Sequence, residues 1–228
     1  MSDPFGRALL DHARGERTAP LRQIDGEWER DHPIEQFYFE PRDPEAETTA
    51  FLERHLHGPL VDLGAGVGRD VRYFSEQCET VGLERSPHLV TAMEERGVER
   101  AVEGDMFALQ ATFDRDRFAS ALAVGTQLGL AQSPAGVQSF LADLAYVTRP
   151  DATAVVDAYD PTSVDAADLL GYRSEPTPRH GGGSSTRSQA TAHTTGSRSA
   201  RSDPPPRRRR HAGRPRSVVG QRLPQLRP

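Results

Sequence analysis

Apolar positions in the first 160 residues alternate between short continuous runs and helical spacing. Runs at residues 60–63, 80–83, 118–124 and 153–159, with a weaker one at 100–103, predict five strands. Between the runs, apolar residues recur every three or four positions, which predicts helices with one buried face. Strands that alternate with helices pair in parallel through right-handed crossovers. The pattern therefore predicts an α/β fold with an open, doubly wound and mostly parallel sheet.

Residues that favour helix ends bound several of these helices. Three pairs join a capping residue to a proline, the usual start of a helix: Asp43-Pro44, Ser86-Pro87 and Ser133-Pro134. The first of these helices should end at Gly58-Pro59. The last should turn one face towards the sheet, formed by Val137, Phe140, Leu141 and Leu144.

Composition divides the chain into three parts. Residues 1–40 are polar with isolated apolar positions, and they predict a cover of one or two helices over the ligand end of the sheet. Residues 41–172 carry the α/β pattern. Residues 173–228 contain no aromatic residue but 13 Arg, 8 Pro, 8 Ser and 6 Gly. Such a segment buries too little apolar surface to offset its ordering entropy, so the sequence predicts a disordered tail.

The charge of the chain is divided in the same way. Residues 1–172 hold 15 Arg and 31 Asp or Glu, a balance of −16, whereas residues 173–228 hold 13 Arg and 2 acids, a balance of +11. The whole chain carries −5. An acidic body without lysine is typical of proteins that stay soluble in high salt, and also of GC-rich genomes. Net charge bears on solubility and partners, not on the fold.

Composition also excludes several chemistries. The absence of lysine excludes a Walker-type phosphate lysine and a Schiff-base lysine. A single cysteine and scattered histidines argue against a disulfide framework and against a metal site. Because no apolar run approaches the length of a membrane span, we expect a soluble, cytoplasmic protein without a membrane partner.

The candidate chemistry lies where the first predicted strand ends. Asp62 is followed by a glycine turn that contains Gly64, Ala65, Gly66 and Gly68. Glycines let the backbone turn sharply and let a ligand lie against bare main chain, while the next helix offers free amides. The dinucleotide fingerprint requires glycine at its first, third and sixth positions, and this turn fails that spacing.

An acid followed by Gly-x-Gly-x-Gly resembles the first motif of the class I S-adenosylmethionine-dependent methyltransferases, a Rossmann-like family. Further matching positions follow the next three strands: Glu84, then Asp105 and Met106, then Val124 and Gly125 in a segment that ends at Gln127. The resemblance covers about residues 40–160. It implies S-adenosyl-L-methionine as the cofactor, with its amino-acid end in the turn from Asp62 to Gly68.

The resemblance also implies roles for the other positions. Glu84 would accept hydrogen bonds from the ribose hydroxyls, and Asp105 would accept from the adenine amino group beside the backbone of Met106. Val124 and Gly125 would contact the methionine part. Each acid also has a structural interpretation: Asp62 and Asp105 as turn formers, and Glu84 as a solvated strand-end acid.

Methyl transfer depends mainly on alignment, so the sequence assigns no catalytic residue. Candidates for a base are side chains expected at the ligand end of the sheet: Asp157, Tyr159, Asp160, Tyr38 and Glu35. The acidic body favours a small-molecule acceptor, because it would repel phosphates. The alternative is an RNA- or DNA-binding protein that uses the Arg-rich tail, its domain being an RNA methyltransferase or an inactive cofactor-binding remnant.

The complete sheet of this family ends in an antiparallel strand pair. No strand pair is found in residues 173–228, so we expect the sheet to lack it and the residues 154–156 to form an open edge. We interpret the chain as truncated, with an aberrant tail of the kind that a shifted reading frame produces. A genuine basic arm that binds phosphates is the rival interpretation.

Overall fold

A computed structural model describes residues 3–25, 28–125, 127–158 and Val218–Val219. In chain order its elements are α1 (Pro4–Ala13), β1 (Arg22–Asp25), β2 (Trp28–Asp31), a π-helix (Glu35–Phe39), α2 (Glu47–His55), β3 (Leu60–Leu63), α3 (Arg69–Ser75), β4 (Thr80–Glu84), α4 (Pro87–Glu95), β5 (Ala101–Glu103), a 3-10 helix (Leu109–Ala111), β6 (Phe118–Ala123), a second 3-10 helix (Gln127–Ala131), α5 (Pro134–Val147), β7 (Thr148–Val156) and β8 (Val218–Val219).

The central sheet has the strand order β5-β4-β3-β6-β7-β8. Every pairing from β5 to β7 is parallel, which confirms the predicted Rossmann-like α/β fold. The chain builds outwards from β3 in one direction and then, from β6, in the other. Open parallel sheets bind ligands at such a switch point, beyond the carboxyl ends of the strands.

Burial on both faces explains the continuous apolar runs. On one face of the sheet, Val61 and Leu63 belong to the same core as Phe140 and Leu144 of α5. On the other face, a second core combines residues of α2, α3 and the sheet: Leu52, Leu56, Leu60, Phe74, Leu122 and Val155. Successive side chains of a strand therefore pack on opposite faces of the sheet, and all four residues of β3 are buried.

Two predicted helix details are wrong. The helix expected from Asp43 begins at Glu47, because the Asp43 carboxyl accepts the Glu45 amide (2.9 Å) and closes a separate turn. Leu141 is 39% exposed, because the buried stripe of α5 runs through Phe140, Leu144 and Val147 instead.

The first 40 residues contain α1, as predicted, and also an unpredicted antiparallel hairpin of β1 and β2. Its residues are mostly polar, so they lack the apolar alternation that marks a half-buried strand. Helix α1 starts at Asp3, whose side chain accepts the Gly6 amide. Its residues Leu9 and Leu10 are buried in a core shared with α4.

The far edge of the sheet differs from expectation. The sequence predicts no strand after β7, but Val218–Val219 pairs antiparallel with Val156 and Val155. The edge at residues 154–156 is therefore partly paired. The predicted disorder of residues 173–228 and the shifted-frame hypothesis otherwise concern residues outside those described. Within the described residues, no helix has the length and apolarity that a membrane crossing requires.

Candidate functional site

The glycine turn between β3 and α3 has a backbone that only glycine adopts without strain. Gly64, Gly66 and Gly68 have φ values of +73°, +60° and +78°. The Leu83 carbonyl of the neighbouring strand accepts hydrogen bonds from the Gly64 and Ala65 amides, at 2.9 and 3.0 Å. The turn is therefore attached to the end of β4, where the next candidate residue lies.

Glu84 ends β4 and reaches across to this turn. Its carboxylate accepts hydrogen bonds from three backbone amides: Gly66 (3.0 Å), Arg85 (2.8 Å) and Ser86 (3.1 Å). Burial raises the pKa of Glu84 above its ordinary value, and the amide donors oppose that rise. The carboxylate lies at the ligand end of the sheet, held beside the bare backbone of Gly66.

Asp62 is the acid of the turn, and it is buried, with 4% exposure. Burial raises its pKa well above the ordinary value, the nearby charge of Asp70 raises it further, and Arg42 and Arg69 act in the opposite direction. Burial disfavours the ionised form of this carboxyl, and a cationic ligand group beside it would relieve that cost.

Asp70 anchors the start of α3 in a buried ion-pair network. Arg42 contacts its carboxylate through Nη2 (2.7 Å) and Nε (2.8 Å), and both side chains are at most 10% exposed. Arg69 adds a contact at 3.1 Å and donates to the Phe37 carbonyl, also at 3.1 Å. The network ties the turn to the segment that precedes α2.

A cavity of about 470 Å³ opens at the carboxyl ends of β3, β4 and β5. Its lining residues are Gly64, Leu83, Glu84, Arg85, Gly104, Asp105, Met106, Phe107, Gln127, Leu130, Ala131, Gln132, Gly136, Ser139 and Phe140. Four of the predicted site residues line it: Gly64, Glu84, Asp105 and Met106. Three others, Ala65, Gly66 and Gly68, lie in the adjoining turn. A volume of this size suits a small organic ligand.

Asp105 and Met106 follow β5, on the far side of the cavity from the turn. The Asp105 carboxylate accepts the Phe107 amide at 2.9 Å and lies 3.8 Å from an Arg85 nitrogen. Met106 is 7% exposed and belongs to the core that α5 covers. A carboxylate and an apolar wall are thus brought together at one end of the cavity.

The 3-10 helix after β6 supplies cavity residues: Gln127 ends the segment that the resemblance indicated, whereas Leu130 and Ala131 lie beyond it. A Cβ on Gly64 would lie 2.8 Å from Cδ of Gln127, so the Gln127 side chain covers that glycine. Leu130 and Ala131 of the same helix, with Phe140 of α5, complete this wall. The sequence predicts that the segment after the fourth strand contacts the cofactor, but no pattern indicates which of its side chains points into the cavity.

Val124 and Gly125 lie at the end of β6 but do not line the cavity. The Gly125 amide donates to Asp157 at 2.9 Å, so this candidate base is part of the link between β6 and β7. Tyr159 and Asp160, two other candidate bases, lie outside the described residues. Glu35 is exposed on the π-helix. Within the described part of the chain, no group of three His, Cys, Asp or Glu side chains is arranged to hold a metal ion.

Solved structures provide an independent comparison. A SAM-dependent methyltransferase from Bacteroides fragilis, crystallised with S-adenosyl-L-homocysteine, superposes with a TM-score of 0.60 and 26% identity. The match covers 69% of this chain and 65% of that one, just under two thirds of the relative's length. The resemblance to class I S-adenosylmethionine-dependent methyltransferases is therefore confirmed at the level of the fold.

Another similar structure is a SAM-dependent methyltransferase from Archaeoglobus fulgidus, at 16% identity and a TM-score of 0.46, covering 54% of this chain and 56% of that one. No protein-family model matches the chain, and no curated protein matches its sequence.

Proposed function

We propose that this chain is an S-adenosyl-L-methionine-dependent methyltransferase that acts on a small-molecule acceptor. The observation that carries the proposal is the cavity at the switch point of the sheet, where Gly64, Glu84 and Asp105 line one volume. These three residues lie at or just after the carboxyl ends of three strands, β3, β4 and β5. They meet beside the buried acid Asp62 of β3, so one ligand could contact all of them.

The residues present fit this cofactor. Glu84 holds its carboxylate beside the bare Gly66 backbone and would accept the two ribose hydroxyls. Asp105, across the cavity, would accept from the adenine amino group, with Met106 and Phe140 as apolar contacts for the ring. Asp62, buried in β3, would face the ammonium group of the amino-acid end.

The electrostatics favour this cofactor over a dinucleotide. A pyrophosphate beside the Glu84 carboxylate would place like charges together, whereas an ammonium and a sulfonium would complement that carboxylate and favour ionisation of Asp62. The cofactor, when bound, supplies a methyl carbon activated by the adjacent sulfonium.

The chain's own contribution is alignment and exclusion of water. The helix Gln127–Ala131 lies along the cavity, and Gln127 covers Gly64 where the turn meets the sheet. The ion-pair network of Arg42, Arg69 and Asp70 fixes the position of the glycine turn. Rigid positioning of this kind can supply much of the barrier reduction in a displacement reaction.

The acidic body supports a small-molecule acceptor. Its balance of −16 over residues 1–172 repels a polyanion such as RNA. We also propose a cytoplasmic location, which rests on composition, namely one cysteine and no long apolar run.

Calorimetric titration of the purified full chain with S-adenosyl-L-homocysteine tests the proposal. We expect saturable one-to-one binding, and NAD, titrated in parallel, should not bind. Incubation with methyl-labelled S-adenosylmethionine and pooled small metabolites, followed by mass spectrometry, then identifies the acceptor. Preference for NAD, or no binding of S-adenosyl-L-homocysteine by chain that melts cooperatively, would contradict the assignment.

A further inference from the structure

Four rings from the N-terminal residues cluster beside the glycine turn. Tyr38 lies 5.5 Å from Phe5 and 5.7 Å from His32 between ring centroids, and Phe37 lies 5.7 Å from His32. Atom Cδ1 of Tyr38 is 4.0 Å from the point where a Cβ on Gly66 would lie. The cavity reaches Gly64, and Tyr38 approaches the same turn two residues further along, at Gly66.

His32 and Tyr38 form a hydrogen-bonded pair within this cluster. Nε2 of His32 lies 3.1 Å from the Tyr38 hydroxyl oxygen, and both side chains are half-buried. With the imidazole neutral and Nε2 unprotonated, the phenol donates to it, and a phenol oxygen can accept a hydrogen bond as well as donate one. This arrangement can receive a proton at Tyr38 and store it on His32.

Phe37 gives the same region an apolar surface. Among the described residues, three large apolar side chains are exposed: Phe37 (42%), Leu130 (60%) and Leu141 (39%). Leu130 lines the cavity, and Phe37 belongs to the cluster beside the turn. Two of the three therefore flank the candidate site, on the 3-10 helix and on the N-terminal cover, which is where an apolar ligand would find contacts.

On the basis of the proposed function, we propose that the acceptor is a neutral aromatic molecule with a hydroxyl as the attacking group, held against Phe37, and that Tyr38 takes its proton and passes the charge to His32. A flat ring matches the edge-to-face packing of the cluster. A neutral acceptor avoids repulsion by the acidic body.

The proposed step balances. The acceptor oxygen forms a bond to the methyl carbon while the carbon–sulfur bond breaks, and sulfur keeps the electron pair. The acceptor's proton goes to the Tyr38 oxygen as the Tyr38 proton goes to Nε2 of His32. The products are the methyl ether, S-adenosylhomocysteine and an imidazolium that later releases its proton to water. Tyr38 would be a catalytic residue and His32 a positioning and proton-storing one.

Several charged side chains lie on the elements around this pair. Those whose side chains the structure describes include Arg69 of α3, Glu35 of the π-helix, Asp31 of β2, and Arg7 and Asp11 of α1, which pair with each other at 2.7 Å. Arg69 is committed to Asp70 and to the Phe37 carbonyl. Its positive charge interacts electrostatically with Tyr38.

The probe for the test is 4-nitrophenol, whose anion absorbs visible light. Full-length chain is titrated with it, with and without saturating S-adenosyl-L-homocysteine, and absorbance gives both binding and ionisation. We expect saturable binding and, at a fixed pH below the probe's midpoint, up to about tenfold more bound than free phenolate, as a pKa lowered by one unit gives. Phe37→Ala should weaken binding about tenfold, whereas the matched control Leu141→Ala should bind as wild type does.

His32→Gln and Tyr38→Phe should bind the probe but lose the extra ionisation. Unchanged affinity for S-adenosyl-L-homocysteine in each variant shows that the fold is intact. Absence of probe binding, or ionisation that persists in His32→Gln, would overturn the inference while leaving the proposed function standing. Failure of the wild-type chain to bind S-adenosyl-L-homocysteine would instead refute the proposed function, and the titration without that ligand still decides whether the aromatic site exists.

Discussion

The Gly66 amide donates a 3.0 Å hydrogen bond to the carboxylate of Glu84. The two residues belong to different strand–helix connections, one after β3 and the other after β4. The bond brings an acid to the bare backbone of the glycine turn and fixes where a ligand's hydroxyl groups can be received. The glycine turn and Glu84 lie at the ends of neighbouring strands, so their spacing along the chain brings them together at one site.

Glu84→Ala should weaken binding of S-adenosyl-L-homocysteine by ~10–100-fold, the usual effect of losing hydrogen bonds to a charged group. Glu103→Gln, at the exposed end of β5, is the matched control and should bind normally. Calorimetry measures both. Equal affinity for wild type and Glu84→Ala would remove the ribose role from this residue.

The same contact predicts a pH dependence. Burial raises the pKa of Glu84, so the carboxylate is lost at a higher pH than an ordinary glutamate would lose it. Affinity should therefore fall as the pH falls through this raised pKa, and the fall should be smaller in Glu84→Gln, in which Asp62 still titrates but residue 84 does not. Titrations at several pH values between 5 and 8 check this, and a parallel pH profile for the two proteins would contradict it.

Gly64→Ala should impair binding through two separable effects. The residue has φ = +73°, which disfavours any side chain, and a new Cβ would meet Gln127 at 2.8 Å. Gly97→Ala is the control for the first effect alone, since Gly97 has φ = +85° and nothing within 4 Å of an added Cβ. Both variants should lose about 1–2 kcal/mol of stability, but only Gly64→Ala should lose affinity for S-adenosyl-L-homocysteine.

The sheet could be predicted from the sequence because its strands are buried on both faces and read as continuous apolar runs. Leu60–Leu63 and Phe118–Ala123 are examples, and both were found within a residue of their observed bounds. Ser86 and Ser133 marked helix starts correctly, because each side chain accepts an amide of the first turn, Leu89 and Gly136 respectively.

Features that depend on tertiary neighbours could not be predicted in this way. Gln127 covers Gly64 because β3 and β6 are neighbours in the sheet, and no local pattern encodes that contact. The β1–β2 hairpin is polar, so its strands lack an apolar period. No local pattern links Arg42 to the start of α3, yet Arg42 and Arg69 both contact the buried Asp70.

Asp62→Asn should stabilise the chain in the absence of ligand at neutral pH. The pKa of Asp62 lies well above its ordinary value because of burial and the charge of Asp70. The folded state thus keeps a proton that the unfolded state has released, and the free energy of unfolding falls as the pH rises through the folded pKa. The variant avoids this loss, so its advantage should grow from acid to neutral pH, up to about 1–3 kcal/mol.

Thermal unfolding at pH 4.5, 6 and 8 measures this advantage. The control is Asp114→Asn, at an exposed turn, which should show no pH-dependent gain. If the proposed function holds, Asp62→Asn should also bind S-adenosyl-L-homocysteine more weakly, since the amide cannot complement its ammonium group. A variant less stable than wild type at pH 8 would show that Asp62 is charged and well solvated in the folded chain.

Arg42→Ala should be the most destabilising of the charge deletions. Arg42 and Asp70 are 10% and 6% exposed and lie 2.7 Å apart. Removing one partner of a buried pair typically costs ~3–5 kcal/mol because the other charge stays buried. Here Arg69 lies 3.1 Å from the same carboxylate oxygen and still neutralises part of its charge. We therefore expect a loss of stability of about 3 kcal/mol, at the lower end of that range.

The matched control is Arg14→Ala, which breaks the exposed pair with Glu95 and should leave the midpoint of thermal unfolding unchanged. Adding Asp70→Asn to Arg42→Ala should restore much of the loss, since the orphaned charge is then absent. Equal thermal midpoints for Arg42→Ala and Arg14→Ala would mean that the network does not hold the turn, and the role assigned to it in positioning the site would fall with that result.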